Sequence, residues 1–84
     1  MTIKEINDQK IMNFLENIKL LRSHYSFSKK KMAEIMGISV KMLGKLESGE
    51  MSKRLSAKSL LRLSAFFSIS ADLLFEKLSL EEIE

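Results

Sequence analysis

One short pattern occurs four times in this chain: an apolar residue, then serine, then a second apolar residue four positions beyond the serine. The instances are Phe27-Ser28…Met32, Ile38-Ser39…Leu43, Leu55-Ser56…Leu60 and Ile69-Ser70…Leu74. A serine so placed accepts a hydrogen bond from the free N–H groups that open a helix, and the flanking apolar pair closes over it as a hydrophobic staple. Each instance predicts a helix start, near Lys29, Val40, Ala57 and Ala71. The stops are set by Gly37 after Met36 and Gly49 after Ser48, both suited to the left-handed residue that follows a helix. The predicted helices are residues 29–36, 40–48, 57–67 and 71–78.

A further helix lies upstream. Ile11, Phe14, Leu15, Ile18, Leu21 and Tyr25 follow the three-and-four spacing of a buried stripe. Its start is open between a capping box at Thr2…Glu5 and a cap at Asp8. Proline is absent, and neither an alternating β-branched run nor an Asn-Gly or Asp-Gly hairpin signal occurs. The expected fold is all-α, a compact five-helix bundle in a single domain of 84 residues.

Chemistry is sparse. The chain has no cysteine and one histidine, His24, which excludes disulfides, thiolate chemistry and cysteine-ligated metals. His24 has no acid or cysteine beside it in a motif and reads as a surface residue at the end of the first helix. No phosphate-cradling glycine loop is present. Phe14, Tyr25, Phe66, Phe67, Phe75 and the six methionines read as packing residues. The expectation is no enzyme, no metal and no cofactor. The N-terminus is charged and no apolar run approaches a membrane span of about 18–20 residues. A cytoplasmic protein without a membrane partner is expected.

Charge is unevenly laid out. Residues 19–62 hold eleven Lys/Arg against Glu34, Glu47 and Glu50, a balance of +8, while the flanks carry −5, for the net +3. A basic middle between acidic ends suits a polyanion. The sharpest feature within it is Lys29-Lys30-Lys31 directly after Ser28. A helix N-terminus already carries about half a positive charge, so cations there are unfavourable.

The second and third helices are short and joined only by Gly37-Ile38-Ser39. Such a pair cannot stack antiparallel and must cross steeply, as in a helix-turn-helix. Ala33 is small where the two should come closest, and Met32, Met36, Ile38, Leu43 and Leu46 have the spacing to fill the space between them. In "NIKLLRSHYSFSKKKMAEIMGIS", "LGKLESGE" and "LLRLSAFFSISADLLF" the chain resembles the phage-repressor/Cro-like (XRE-type) helix-turn-helix domain over residues 17–78. The N-terminal extension of the first helix and a short acidic tail lie outside that core.

The resemblance implies double-stranded DNA as partner. It implies an ion pair between Arg22 and Glu47 that pins the recognition helix to the scaffold. Val40, Lys41, Met42, Gly44 and Lys45 would face the bases. Ser28, Lys29, Lys30, Ser48, Lys53 and Arg54 would meet phosphates, which would relieve the repulsion among the lysines. The recognition helix departs from the family in lacking Gln, Asn and Arg. Its Gly44 costs roughly 1 kcal/mol relative to alanine, and Glu50 adds negative charge near the expected phosphate path. Affinity is expected to come largely from phosphates, and selectivity from DNA shape.

One recognition helix reads few base pairs, so a homodimer is expected, through Phe75, Leu78, Leu80 and Ile83, with the extended N-terminus as a second contributor. The expected function is a small transcriptional regulator, a repressor that blocks polymerase from an operator. A chain this short leaves no room for a small-molecule ligand, so autoregulation or a protein antagonist is the expected control. The other reading is an antitoxin or accessory protein, whose main contact is a toxin or another protein partner.

Overall fold

The structure is a computed structural model that describes residues 3–50 and 55–78, with side chains from residue 8. Four helices follow in order: α1 (Ile3–His24), α2 (Lys29–Met36), α3 (Val40–Glu47) and α4 (Ala57–Phe67). A single 3-10 turn, Leu73–Phe75, follows them, and the described residues contain no strand. No described helix is long and apolar enough to cross a membrane.

Three of the four staples open helices. Ser28, Ser39 and Ser56 adopt extended backbone, and their hydroxyls accept from the N–H groups of Lys31, Met42 and Ser59 at 3.0, 3.0 and 3.4 Å. Gly37 closes α2 in the left-handed region at φ 73°, donating its N–H towards Ala33 and Glu34. α3 ends at Glu47, with Ser48 as its cap and Gly49 at φ 98° beyond. α1 runs through Asp8, which therefore does not cap it.

The fourth staple does not open an α-helix, so the bundle has four α-helices and not five. The cause lies on α1. Had a helix continued through residues 71–78, the Leu78 N–H would bond the Leu74 carbonyl. Asn17 takes both groups instead: its Nδ2 donates to the Leu74 carbonyl at 2.7 Å and its Oδ1 accepts from the Leu78 N–H at 3.4 Å. The same Nδ2 donates to the Glu76 carbonyl at 2.6 Å, and Asn13 donates to that of Phe75 at 3.1 Å. Asn17 is 3% exposed, so these bonds form out of competition with water. The backbone ahead of them tightens into three-residue hydrogen bonds, from Leu73 to Ser70, Leu74 to Ala71 and Phe75 to Asp72.

The core is continuous. α1 contributes Phe14, Leu15, Ile18 and Leu21, with Ile11 and Tyr25 half-buried at its margin. Met32, Met36, Leu43 and Leu46 are fully buried between α2 and α3, and Ala33 lies among them, 2% exposed. Ile38 packs against them from the turn. Ile35 of α2, Leu63 and Phe67 of α4, Leu74 of the 3-10 turn, and Ile69 and Leu78 on either side of that turn complete the core among the described residues.

Two arginines fix the helix pair to its neighbours. From α1, Arg22 donates through Nε and Nη2 to the two Glu47 carboxylate oxygens at 2.6 and 2.9 Å, and through Nη1 to the Phe27 carbonyl at 3.2 Å. The hydrogen bond to Glu47 raises the Arg22 pKa above its ordinary value, against the opposing effect of burial, and the Glu47 charge adds to the rise. From α4, Arg62 donates to the carbonyls of Ile35 and Glu34 at 3.0 Å each, and so satisfies the C-terminal end of α2.

Two stability effects are expected. Arg22→Met leaves a carboxylate that is 7% exposed without its partner, at a cost of about 3 kcal/mol. Adding Glu47→Leu restores most of that loss, as chemical denaturation of the single and double variants will show. Asn17→Ala orphans the Leu74 and Glu76 carbonyls and the Leu78 N–H, at about 1–3 kcal/mol for each group that stays buried. In hydrogen exchange the Leu78 amide loses its protection while those of α2 and α3 keep theirs. Uniform loss across the chain would show that Asn17 holds the whole fold and not the C-terminal segment.

Candidate nucleic-acid interface

α3 divides by face. Leu43 and Leu46 point into the core, and Glu47 turns to Arg22. The outward residues are Val40, Lys41, Gly44, Lys45 and Ser48, at successive spacings of one, three, one and three. Val40 is 46% exposed, a large apolar side chain with its surface open. Lys41 and Lys45 are exposed, and Met42 and Gly44 are half-buried, Gly44 with no side chain of its own. The first turn of α3 contains no acid.

The first turn of α2 contains none either, and Lys29, Lys30 and Lys31 are all exposed. They are not equivalent. Lys31 places its ammonium 5.9 Å from the centroid of the Phe66 ring on α4, a cation–π arrangement that draws it away from the helix end. Lys29 and Lys30 remain beside the positive end of the α2 dipole. An anion there meets two ammonium groups, the dipole and the backbone N–H groups that Ser28 does not bond.

The two serines differ. Ser28 accepts from the Lys31 N–H, which leaves its own O–H to donate to a phosphate. The Ser48 hydroxyl donates to the Lys45 carbonyl at 2.8 Å, so its proton is already engaged. Two acids stand near this basic surface, Glu34 on α2 and Glu50 after α3, both exposed. The third, Glu47, is paired with Arg22. Lys53 and Arg54 lie outside the described residues, as do Leu80 and Ile83. The other two residues expected at a dimer contact are engaged within the chain. Phe75 stacks on Phe14 at 5.0 Å between ring centroids, and Leu78 is buried. His24 is exposed and meets Tyr25 edge-on at 4.9 Å. The described residues contain no group of three or more His, Cys, Asp or Glu able to hold a metal ion.

Sequence reasoning missed Arg62, which holds the end of α2 from behind, and Asn17, which holds the C-terminal segment against α1. Asn17 had a readable signal: it interrupts the apolar stripe three residues after Phe14 and four before Leu21, where a polar side chain is buried and must find partners. Arg62 had none, because its acceptors lie on a helix distant in sequence.

The geometry agrees with comparison to known proteins. The helix-turn-helix family matches residues 18–74, from the second half of α1 to the 3-10 turn. No curated protein and no solved structure matches the chain. The family match spans more than half of the sequence, and the chain belongs to the XRE-type helix-turn-helix family of DNA-binding transcriptional regulators.

Proposed function

We propose that the chain is a sequence-selective repressor, a single domain that binds an operator as a homodimer and occludes polymerase. The observation that carries this reading is the distribution of charge on the helix pair. Lys29, Lys30, Lys41 and Lys45 are all exposed, the first turns of α2 and α3 carry no acid, and the one acid of α3 is bound to Arg22. In the proposed complex Val40, Lys41, Met42, Gly44 and Lys45 face the major groove. Ser28, Lys29 and Lys30 hold a phosphate, and Lys53 and Arg54 another. Without a bidentate Gln, Asn or Arg on α3, phosphate contacts and DNA shape contribute much of the affinity.

Homodimerisation is proposed through the C-terminal end of the molecule. Phe75 and Leu78 serve there as the packed base of the contact, and Leu73, 45% exposed, as an outward residue. Light scattering is expected to give twice the monomer mass. A monomer at high micromolar concentration, with and without DNA, would remove the dimer.

The second reading, a domain whose main contact is another protein, is favoured by α4. Leu61 and Phe66 are 61% and 50% exposed, and α4 contains no acid.

Fluorescence anisotropy across a salt series separates the two. The duplex upstream of the protein's own gene should bind more tightly than a scrambled control. Changing Lys29 and Lys30 together to alanine should flatten the salt slope by about 0.9, for the one phosphate that is no longer neutralised. Lys41→Ala should instead alter base preference. No binding to either duplex at low salt would leave the protein-contact reading in its place.

A further inference from the structure

We propose that Gly44 is a contact residue by virtue of the side chain it lacks. It forms a notch in the outward face of α3 through which the helix backbone seats against base edges in the major groove. The inference rests on the DNA-binding reading above and names a determinant of its selectivity.

The three glycines of the chain differ in what the fold asks of them. Gly37 and Gly49 have positive φ, which ordinary residues adopt at a cost. At Gly37 a Cβ would also come within 3.2 Å of the Arg62 guanidinium. Gly44 has neither reason. It lies inside α3 without positive φ, and a Cβ built there meets no heavy atom of the other described residues within 4 Å, the adjoining helix backbone and its two chain neighbours aside. Nothing among the described residues needs a glycine at this place, and a helix interior is weakened by one. The reason for it lies outside the molecule.

Its position says what approaches. Lys41 and Lys45 stand three residues before and one after it, and Val40 lies four before, all on exposed surface. The bottom of the notch is therefore Cα hydrogens and lysine stem methylenes, with an apolar side chain at one end. Such a surface offers a phosphate no donor beyond the two ammonium groups, which would reach it without a notch. A base edge is flat, and its methyl or acceptor atoms come into range only if the backbone comes close. Glu47, the one acid of α3, is held by Arg22 and does not repel it.

The test compares wild type, Gly44→Ala and Gly44→Leu on a duplex enriched by wild type from a randomised pool and on its scrambled control. Gly44→Ala should raise Tm by about 4–8 °C. It should weaken binding to the enriched duplex about tenfold while binding the scrambled duplex as wild type does, and Gly44→Leu should lose more on the enriched duplex. Four results would overturn the inference: equal affinity of Gly44→Ala and wild type for the enriched duplex, equal losses on both duplexes, a lowered Tm for Gly44→Ala, or a pool that yields no enriched sequence although wild type binds duplex DNA. Wild type that binds no duplex at low salt would overturn the DNA-binding reading as well.

Discussion

A carboxylate that is 7% exposed must be matched, and the way Glu47 is matched organises this molecule. Its two oxygens receive two N–H groups of one guanidinium, so the pair fixes direction as well as distance. Arg22 belongs to the end of α1 and Glu47 to the end of α3, and the third bond of Arg22 goes to the carbonyl of Phe27, just before α2. One side chain thus sets the end of α3 relative to the entry of α2. Arg62 performs the corresponding service at the other end of α2, from α4. Lysine could not replace either residue, because a single ammonium lacks the planar fork that reaches two acceptors at once.

This arrangement divides the basic residues by chemistry. In the sequence the middle of the chain is one block of positive charge, with Arg and Lys counted alike. In the fold, Arg22 and Arg62 are bonded to a carboxylate and to carbonyls, Arg62 from an exposed position, while the lysines of α2 and α3 stay exposed on the outer surface. Even the Lys29-Lys30-Lys31 run is divided, because Lys31 finds the face of Phe66. The electrostatic tension at the α2 N-terminus is therefore smaller than the run suggests, and it rests on two ammonium groups.

What could be read from the sequence was what depends on neighbours in the chain. Three serine caps, the left-handed Gly37 and the stripe of α1 are local or periodic, and each was legible because one hydrogen bond or one spacing decides it. The Arg22–Glu47 contact is non-local and was legible only through the family resemblance. The fourth staple shows the limit. Ser70 and Leu74 have the same local pattern as the other three, yet the Leu74 carbonyl and the Leu78 N–H that a helix would pair are both claimed by Asn17. Local capping is worth about 1 kcal/mol, less than the cost of leaving a buried asparagine and its carbonyl partners unbonded. Tertiary hydrogen bonding wins wherever the competing groups are buried, and no local pattern reveals which acceptors a buried amide will find.

The same balance bears on how the outward surface is maintained. α2 and α3 have eight residues each, too short to hold as isolated helices in water. α3 is further weakened by Gly44, whose side-chain-less position gives no internal return. The helix that presents the lysines is thus ordered from behind, by Ser39, by Leu43 and Leu46 in the core, and by the Arg22 clamp at its last residue. Every one of these groups lies off the outward stripe of Val40, Lys41, Gly44, Lys45 and Ser48. Support and contact are carried by different residues on a helix of two turns. The outward stripe can therefore change with little effect on the fold, and the inward face cannot change without losing the surface it supports.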